Sequence, residues 1–133
     1  MPEARPNPGK AAGAGALQGL HVLVVEDEYL LAQELCHDLV SEGATIMGPV
    51  PRLDTALDML DRGPPPSLAI LDVCLQGRKV WPLADALTAR QIPFVFVTGY
   101  DAEAIPEAYA DLPRCSKPVD LAQLLQVLPC RPG

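Results

Sequence analysis

The chain of 133 residues suits one domain and leaves no room for a second one of ordinary size. Its 49% of hydrophobic and 20% of charged residues are typical of globular proteins and exclude the disordered and fibrous classes. Ten Lys and Arg are outnumbered by seventeen Asp and Glu, and the net charge of −7 comes without a basic cluster. Because this charge repels a phosphate backbone, we expect no nucleic-acid partner.

The apolar stretches are all far shorter than the roughly 20 residues of a membrane helix, and the first residues lack the apolar core of a signal peptide. The four cysteines show no C-x-x-C spacing, and together with the two histidines they match a zinc site poorly. We therefore expect a cytoplasmic protein with reduced thiols and no membrane partner.

Residues 1–19 differ from the rest of the chain in carrying three Pro, four Gly and five Ala with almost no large side chains. Such a segment buries too little apolar surface to offset its ordering entropy, which predicts a flexible N-terminal tail. From Leu20 onwards, short apolar runs alternate with amphipathic segments, a pattern typical of repeated strand-helix units. We expect one folded domain over 20–129 and a short C-terminal tail over 130–133.

Four short apolar runs predict strands at 20–25, 44–47, 68–71 and 94–97, and a weaker pattern near 114–116 predicts a fifth. The first, third and fourth runs are apolar without interruption over at least four residues. Continuous apolar runs are expected where both faces of a strand are covered, so these three strands should be central in a parallel sheet.

Four helices follow from apolar residues spaced three and four positions apart, at about 28–42, 53–60, 80–87 and 121–128. Gly43 is placed to end the first of them as a left-handed residue, and Gly63 is expected to end the second in the same way. The segment 102–110 is a candidate for a fifth, short helix despite Pro106. Strands and helices in strict alternation predict a doubly wound α/β fold.

Polar residues follow the apolar runs at the points where the strands end, namely Glu26-Asp27, Asp72, Thr98-Gly99 and Lys117-Pro118. Because the carboxyl ends of parallel strands lie on one edge of the sheet, these residues should converge. Three carboxylates at close range require a hard cation, and Mg²⁺ prefers oxygen ligands. An aspartate beside Mg²⁺, with a hydroxyl and an ammonium nearby, is arranged for phosphoryl transfer. Asp72 is the expected nucleophile, and Gly99 would leave room for the phosphoryl group.

Each of these residues has an ordinary structural interpretation. Glu26, Asp27 and Glu28 would serve equally well as acidic residues at the start of the first helix. Asp72 would suit a turn, and Lys117 would suit a solvated surface. Their occurrence together, each at a strand end, favours a functional site over these separate explanations.

The residues 22–28, 71–73, 97–99 and 116–118 together resemble the motifs of a response-regulator receiver domain, and the resemblance covers nearly all of 20–129. It implies a flavodoxin-like (βα)5 sandwich with a five-stranded parallel sheet in the order 2-1-3-4-5. It also implies that Asp72 accepts a phosphoryl group from a sensor histidine kinase or a histidine phosphotransfer protein.

The resemblance further implies a metal site for Mg²⁺ and a set of phosphoryl-binding residues. Asp27, Asp72 and the backbone carbonyl of Cys74 would bind the metal directly, and Glu26 would bind it through water. Lys117 would pair with the phosphoryl oxygens, and Thr98 would turn towards them as the switch.

Two departures from the family pattern concern the readout of phosphorylation. Many receivers have Tyr or Phe three residues before the lysine, where this chain has Arg114. Residues 93–100 resemble the "FAT GUY" group of single-domain receivers, which lack that aromatic residue and carry a tyrosine near the Thr-Gly pair. We therefore consider Tyr100, Arg114 and Pro118 as readout residues, although Tyr100 would also fit a packing role.

The sequence thus favours a stand-alone signalling module that acts through protein–protein contacts and whose only catalysis is its own phosphorylation and dephosphorylation. Two alternatives stay open at this stage. A phosphatase of the haloacid dehalogenase type also uses a strand-end aspartate with Mg²⁺. That family has a second aspartate two residues later, where this chain has Cys74. A pseudo-receiver would bind partners without phosphorylation.

Overall fold

A computed structural model of the protein describes residues 15–99 and 105–128. Its main sheet has five parallel strands, which are β1 (His21–Val25), β2 (Thr45–Val50), β3 (Leu68–Asp72), β4 (Phe94–Thr98) and β5 (Arg114–Ser116). They are ordered β2-β1-β3-β4-β5, which confirms both the predicted order and the central positions of β1, β3 and β4.

The described residues contain four α-helices, which are α1 (Tyr29–Ser41), α2 (Leu53–Arg62), α3 (Trp81–Ala89) and α4 (Leu121–Val127). The short helix predicted over 102–110 is wrong for the described part of that segment, where only a 3-10 turn forms at Glu107–Tyr109. Pro106 is extended (ψ 154°) and has no N–H to donate, so the chain can begin only a tight turn after it. No helix in 15–99 or 105–128 has the length and apolar character needed to cross a bilayer.

The central strands are buried on both faces, and alternate residues point to opposite sides of the sheet. Leu23, Leu71 and Phe96 pack on one side, against the buried faces of α2 and α3. Their neighbours Val24 and Ile70 pack on the other side, against α1 and α4. The period of two along each strand therefore builds two apolar layers, as a doubly wound sheet requires.

Leu17 belongs to the second apolar layer, although the sequence placed it in the N-terminal tail. Its side chain is fully buried, and its backbone N–H donates to the carbonyl oxygen of Glu42 at 2.9 Å. The backbone N–H of Ala16 also faces Glu42, at 3.4 Å from Oε1. The domain boundaries stay a prediction, but the core extends at least to Leu17.

The two glycines predicted to end helices behave differently. Gly43 follows α1 with a φ of +97°, the left-handed conformation expected of a residue that ends a helix. Gly63 has a φ of −103° and is extended, so the prediction of a left-handed end for α2 is wrong. The reason is Pro64, since the residue before a proline is driven out of helical conformations and into the extended region.

Trp81 packs at the rim of the first apolar layer. Its ring stacks on Tyr109 with 4.9 Å between centroids and meets Phe96 edge-on at 5.6 Å. The hydroxyl of Tyr109 donates to Asp85 Oδ1 at 2.6 Å. Side chains from α3 therefore hold the segment around the 3-10 turn against the sheet.

Leu17→Ala should lower the free energy of unfolding by about 2 to 5 kcal/mol, because it removes a fully buried side chain and leaves a cavity. Leu30 is 74% exposed, so Leu30→Ala is the matched control and should change stability by no more than about 0.5 kcal/mol. Urea denaturation of both variants measures the difference. Equal effects of the two substitutions would show that Leu17 does not belong to the core.

Candidate functional site

The carboxyl ends of β1 and β3 bring three carboxylates together. Asp72 is the last residue of β3, and Glu26 and Asp27 directly follow β1, which pairs with β3. Each of the three offers a carboxylate oxygen, and these oxygens lie within 4.8 Å of one another. Glu26 and Asp72 are buried and Asp27 is half-buried. The sheet edge therefore gathers the predicted acidic cluster.

Lys117 directly follows β5 and places its ammonium group among the acidic residues. Its Nζ donates to Asp72 Oδ2 at 3.0 Å, to Glu26 Oε2 at 3.3 Å and to Glu28 Oε1 at 2.6 Å. Its backbone N–H donates to the carbonyl oxygen of Thr98 at 2.7 Å, which continues the pairing of β5 with β4. Burial lowers the pKa of Lys117, but hydrogen bonds to Glu28 and Asp72 and the nearby negative charges raise it above its ordinary value. The lysine is therefore a permanent cation.

The surroundings of Glu26 disfavour the ionised form of its carboxyl group. Burial, together with the neighbouring Asp72, raises the pKa of Glu26 to about 7, although the backbone N–H of Glu28 and the charge of Lys117 act in the opposite direction. That N–H donates to Glu26 Oε2 at 2.9 Å. One ammonium does not balance the cluster, so a proton or a second cation is favoured there.

A small hairpin, which the sequence analysis did not predict, closes the site beside Asp27. Residues 74–75 and 78–79 pair as antiparallel strands, and Gln76 and Gly77 form the turn with φ values of +51° and +86°. The backbone N–H of Gln76 donates to Asp27 Oδ2 at 2.8 Å. Arg78 anchors the hairpin to α2 through Asp54 at 2.9 Å. The sequence pattern that could have predicted this hairpin is its two-residue loop, Gln76-Gly77, which contains a glycine.

The ordinary structural interpretations of Asp72 as a turn residue and Glu28 as a helix-start residue hold in part. Asp72 Oδ1 accepts the backbone N–H of Cys74 at 3.3 Å, so Asp72 also stabilises the turn after β3. Glu28 occupies the N-cap position of α1, but its carboxylate makes no capping bond within the described residues and instead contacts Lys117. The sequence analysis placed Glu28 at the helix start and missed this contact.

Thr98 and Gly99 lie at the end of β4, next to the acidic cluster. The Thr98 side chain is buried, and its hydroxyl donates to the carbonyl oxygen of Cys115 at 3.4 Å, so it is engaged with β5. A Cβ atom on Gly99 would meet nothing within 4 Å. Gly99 lines the open pocket at the site, and its expected role of leaving room for a phosphoryl group stays a prediction.

An open pocket of about 580 Å³ exposes the site to solvent. It is lined by Asp27, Glu28, Leu31, Asp72, Cys74, Gly99, Lys117 and Pro118. Arg114 is exposed on β5 and does not line the described part of the pocket. Tyr100 lies outside the described residues. The roles predicted for Arg114, Tyr100 and Pro118 in readout, and for the Cys74 carbonyl in metal binding, stay predictions.

Comparisons with known proteins were made by sequence and by structure. No family model matches the chain, and a search of curated proteins finds no match. The solution structure of SdrG from Sphingomonas melonis Fr1 is 37% identical, with a TM-score of 0.73, and the alignment covers 84% of this chain and 93% of SdrG.

Two further solved structures share the fold at lower identity. A response regulator receiver protein from Sinorhizobium medicae WSM419 is 22% identical, with a TM-score of 0.70 over 84% of this chain and 93% of that one. The response regulator PhyR from Brucella abortus is also 22% identical, with a TM-score of 0.71 over 90% of this chain but only 52% of PhyR.

The similarity to SdrG extends over nearly its whole length, and the fold is that of the receiver proteins. The chain therefore belongs to the response-regulator receiver family, a family of signalling domains rather than of conventional enzymes.

Proposed function

We propose that Asp72 accepts a phosphoryl group from a phosphohistidine, carried by a sensor histidine kinase or a histidine phosphotransfer protein. The observation that supports this most directly is the 3.0 Å ion pair between Lys117 Nζ and Asp72 Oδ2, at an open pocket. Transfer of a phosphoryl group requires a carboxylate that the donor can reach and a cation close to the attacking oxygen. Asp72 and Lys117 provide this pair.

In the proposed reaction, a carboxylate oxygen of Asp72 forms a bond to phosphorus while the bond from phosphorus to the donor nitrogen breaks. The electron pair stays on that nitrogen, and the donor leaves as neutral imidazole when its other ring nitrogen carries a proton. Lys117 is positioned to neutralise the charge on the phosphoryl oxygens. Attack of water on phosphorus later releases inorganic phosphate and restores the carboxylate of Asp72.

Glu26, Asp27 and Asp72 fit a hard divalent cation, since three carboxylate oxygens within 4.8 Å of one another carry more negative charge than Lys117 balances. When bound, Mg²⁺ supplies positive charge against the repulsion among these carboxylates and the phosphoryl oxygens. The backbone N–H of Gln76 donates to Asp27 Oδ2 at 2.8 Å and so helps to hold this carboxylate in place. We propose that the backbone carbonyl of Cys74 completes the protein ligands.

We further propose that phosphorylation is reported to another protein through Thr98 and the surface near it. Thr98 would exchange its hydrogen bond with the Cys115 carbonyl for one with a phosphoryl oxygen. That change would move the end of β4, next to the segment that contains Tyr100. Tyr100, Arg114 and Pro118 are the candidates for carrying the change to a protein partner, because an aromatic residue is absent at position 114.

Incubation with acetyl phosphate and Mg²⁺ should add the mass of one phosphoryl group to the wild type and none to Asp72→Asn, because the amide oxygen of asparagine is not a nucleophile of comparable strength. Intact-mass spectrometry measures the label. Asp111→Asn, which replaces an exposed carboxylate elsewhere, is the control and should be labelled like the wild type. Labelling of neither wild type nor Asp72→Asn would favour a pseudo-receiver.

Added Mg²⁺ should raise the Tm by about 5 °C at tenfold its Kd, which corresponds to about 1.4 kcal/mol. Asp27→Asn should lose most of this shift because it removes one metal-binding carboxylate, whereas Asp111→Asn should retain it. Differential scanning calorimetry with and without chelator measures the effect. An unchanged shift in Asp27→Asn would contradict the proposed ligand set.

The metal-free protein should become less stable as the pH rises from about 4.5 to about 7, because the folded pKa of Glu26 is raised across this window. The folded protein holds the proton more tightly than the unfolded chain, so this contribution is complete at low pH and is lost as Glu26 ionises. It amounts to at most about 3 kcal/mol. Urea denaturation in chelator should give a flatter dependence for Glu26→Gln, and equal slopes for both proteins would refute the assignment.

A further inference from the structure

The ammonium group of Lys117 has a carboxylate partner for each of its three N–H donors within the described residues. An ammonium has three N–H donors, and Nζ faces three carboxylates, those of Glu28 at 2.6 Å, Asp72 at 3.0 Å and Glu26 at 3.3 Å. A phosphoryl group attached to Asp72 would add new acceptor oxygens at the same place. The three N–H donors of Lys117 would then be shared among more acceptors, so its present partners compete with the phosphoryl oxygens.

Burial distinguishes the three partners. The side chains of Glu26 and Asp72 are only 6% and 8% exposed, so neither can turn away from Lys117 into water. The side chain of Glu28 is 56% exposed and can return to water at little cost. Glu28 is therefore the partner that Lys117 can release most easily, although it makes the shortest of the three contacts.

The backbone of Glu28 is held by a hydrogen bond to Glu26. Among the described residues, its carboxylate makes a hydrogen bond only with Lys117. Its N–H donates to Glu26 Oε2 at 2.9 Å, which ties the start of α1 to the site. Its carboxylate does not cap the helix, although Glu28 holds the N-cap position. The side chain can therefore swing away from Lys117 without disturbing the helix.

We propose that Glu28 is a positioning residue, which holds Lys117 in the unphosphorylated protein and releases it when Asp72 carries a phosphoryl group. This inference rests on the proposed function of Asp72. The ion pair stabilises the resting state and is lost in the phosphorylated state, so Glu28 opposes phosphorylation. Removing the pair should favour phosphorylation by about two- to fivefold, the range of a partly exposed ion pair.

The first experiment tests the contact itself, without metal or phosphodonor. Acetic anhydride modifies free lysine amines, and the exposed Lys79 serves as an internal reference for Lys117. Peptide mass spectrometry should find Lys117 modified faster relative to Lys79 in Glu28→Gln than in the wild type. Unchanged relative modification would overturn the proposal, because Glu28 would then not be what holds the lysine.

The second experiment measures the initial rate of labelling by acetyl phosphate with Mg²⁺ in three variants. Glu28→Gln removes the charge, and Glu28→Asp keeps the charge but shortens the side chain by one methylene group and so weakens the 2.6 Å contact with Lys117. Glu34→Gln removes an exposed charge further along α1 and is the control for general repulsion of the anionic donor. We expect both Glu28 variants to be labelled about two- to fivefold faster than the wild type and Glu34→Gln to match the wild type.

The outcomes separate this inference from the function on which it rests. Equal acceleration in Glu28→Gln and Glu34→Gln, with Glu28→Asp like the wild type, would assign the effect to overall charge and overturn the positioning role. Wild-type labelling that disappears in Asp72→Asn but is unchanged in both Glu28 variants would overturn the inference and leave the function intact. No labelling of the wild type would overturn both. Circular dichroism verifies that each variant is folded.

Discussion

The attraction between one ammonium group and the carboxylates around it connects otherwise separate parts of the fold. Lys117 arrives after β5, Asp72 ends β3, and Glu26 and Glu28 follow β1. Burial and the neighbouring Asp72 raise the pKa of Glu26 to about 7, and the charge of the lysine offsets part of this effect. Charges that enter or leave the site therefore act on the ends of β1, β3 and β5 together.

The fold itself was largely predictable, because two simple sequence patterns indicate its strands and helices. Uninterrupted apolar runs identified β1, β3 and β4 as central strands, and spacings of three and four residues identified the four α-helices. Convergence of Asp72, Asp27 and Lys117 then followed from the geometry of parallel strands, without any knowledge of side-chain contacts. The sequence could therefore locate the acidic cluster correctly from the order of its strands.

What the sequence could not supply depends on contacts between distant segments or on the conformation of single residues. The contact of Glu28 with Lys117 requires the two side chains to share one small volume, and no local pattern specifies that. Leu17 is a lone apolar residue among glycines and alanines, so only its burial by other segments reveals it as core. Gly63 is extended because the following Pro64 restricts its backbone, which overrides the usual left-handed conformation of glycine at helix ends.

The region around the 3-10 turn is attached to the domain through side chains. No α-helix forms in its described part, and the stack of Tyr109 on Trp81, with the hydrogen bond from Tyr109 to Asp85, holds it against α3. Attachment through a few side chains can be strengthened, weakened or redirected by single substitutions that leave the sheet intact. The conformation of this segment therefore depends on a few side chains of α3 rather than on the backbone pairing that fixes the sheet.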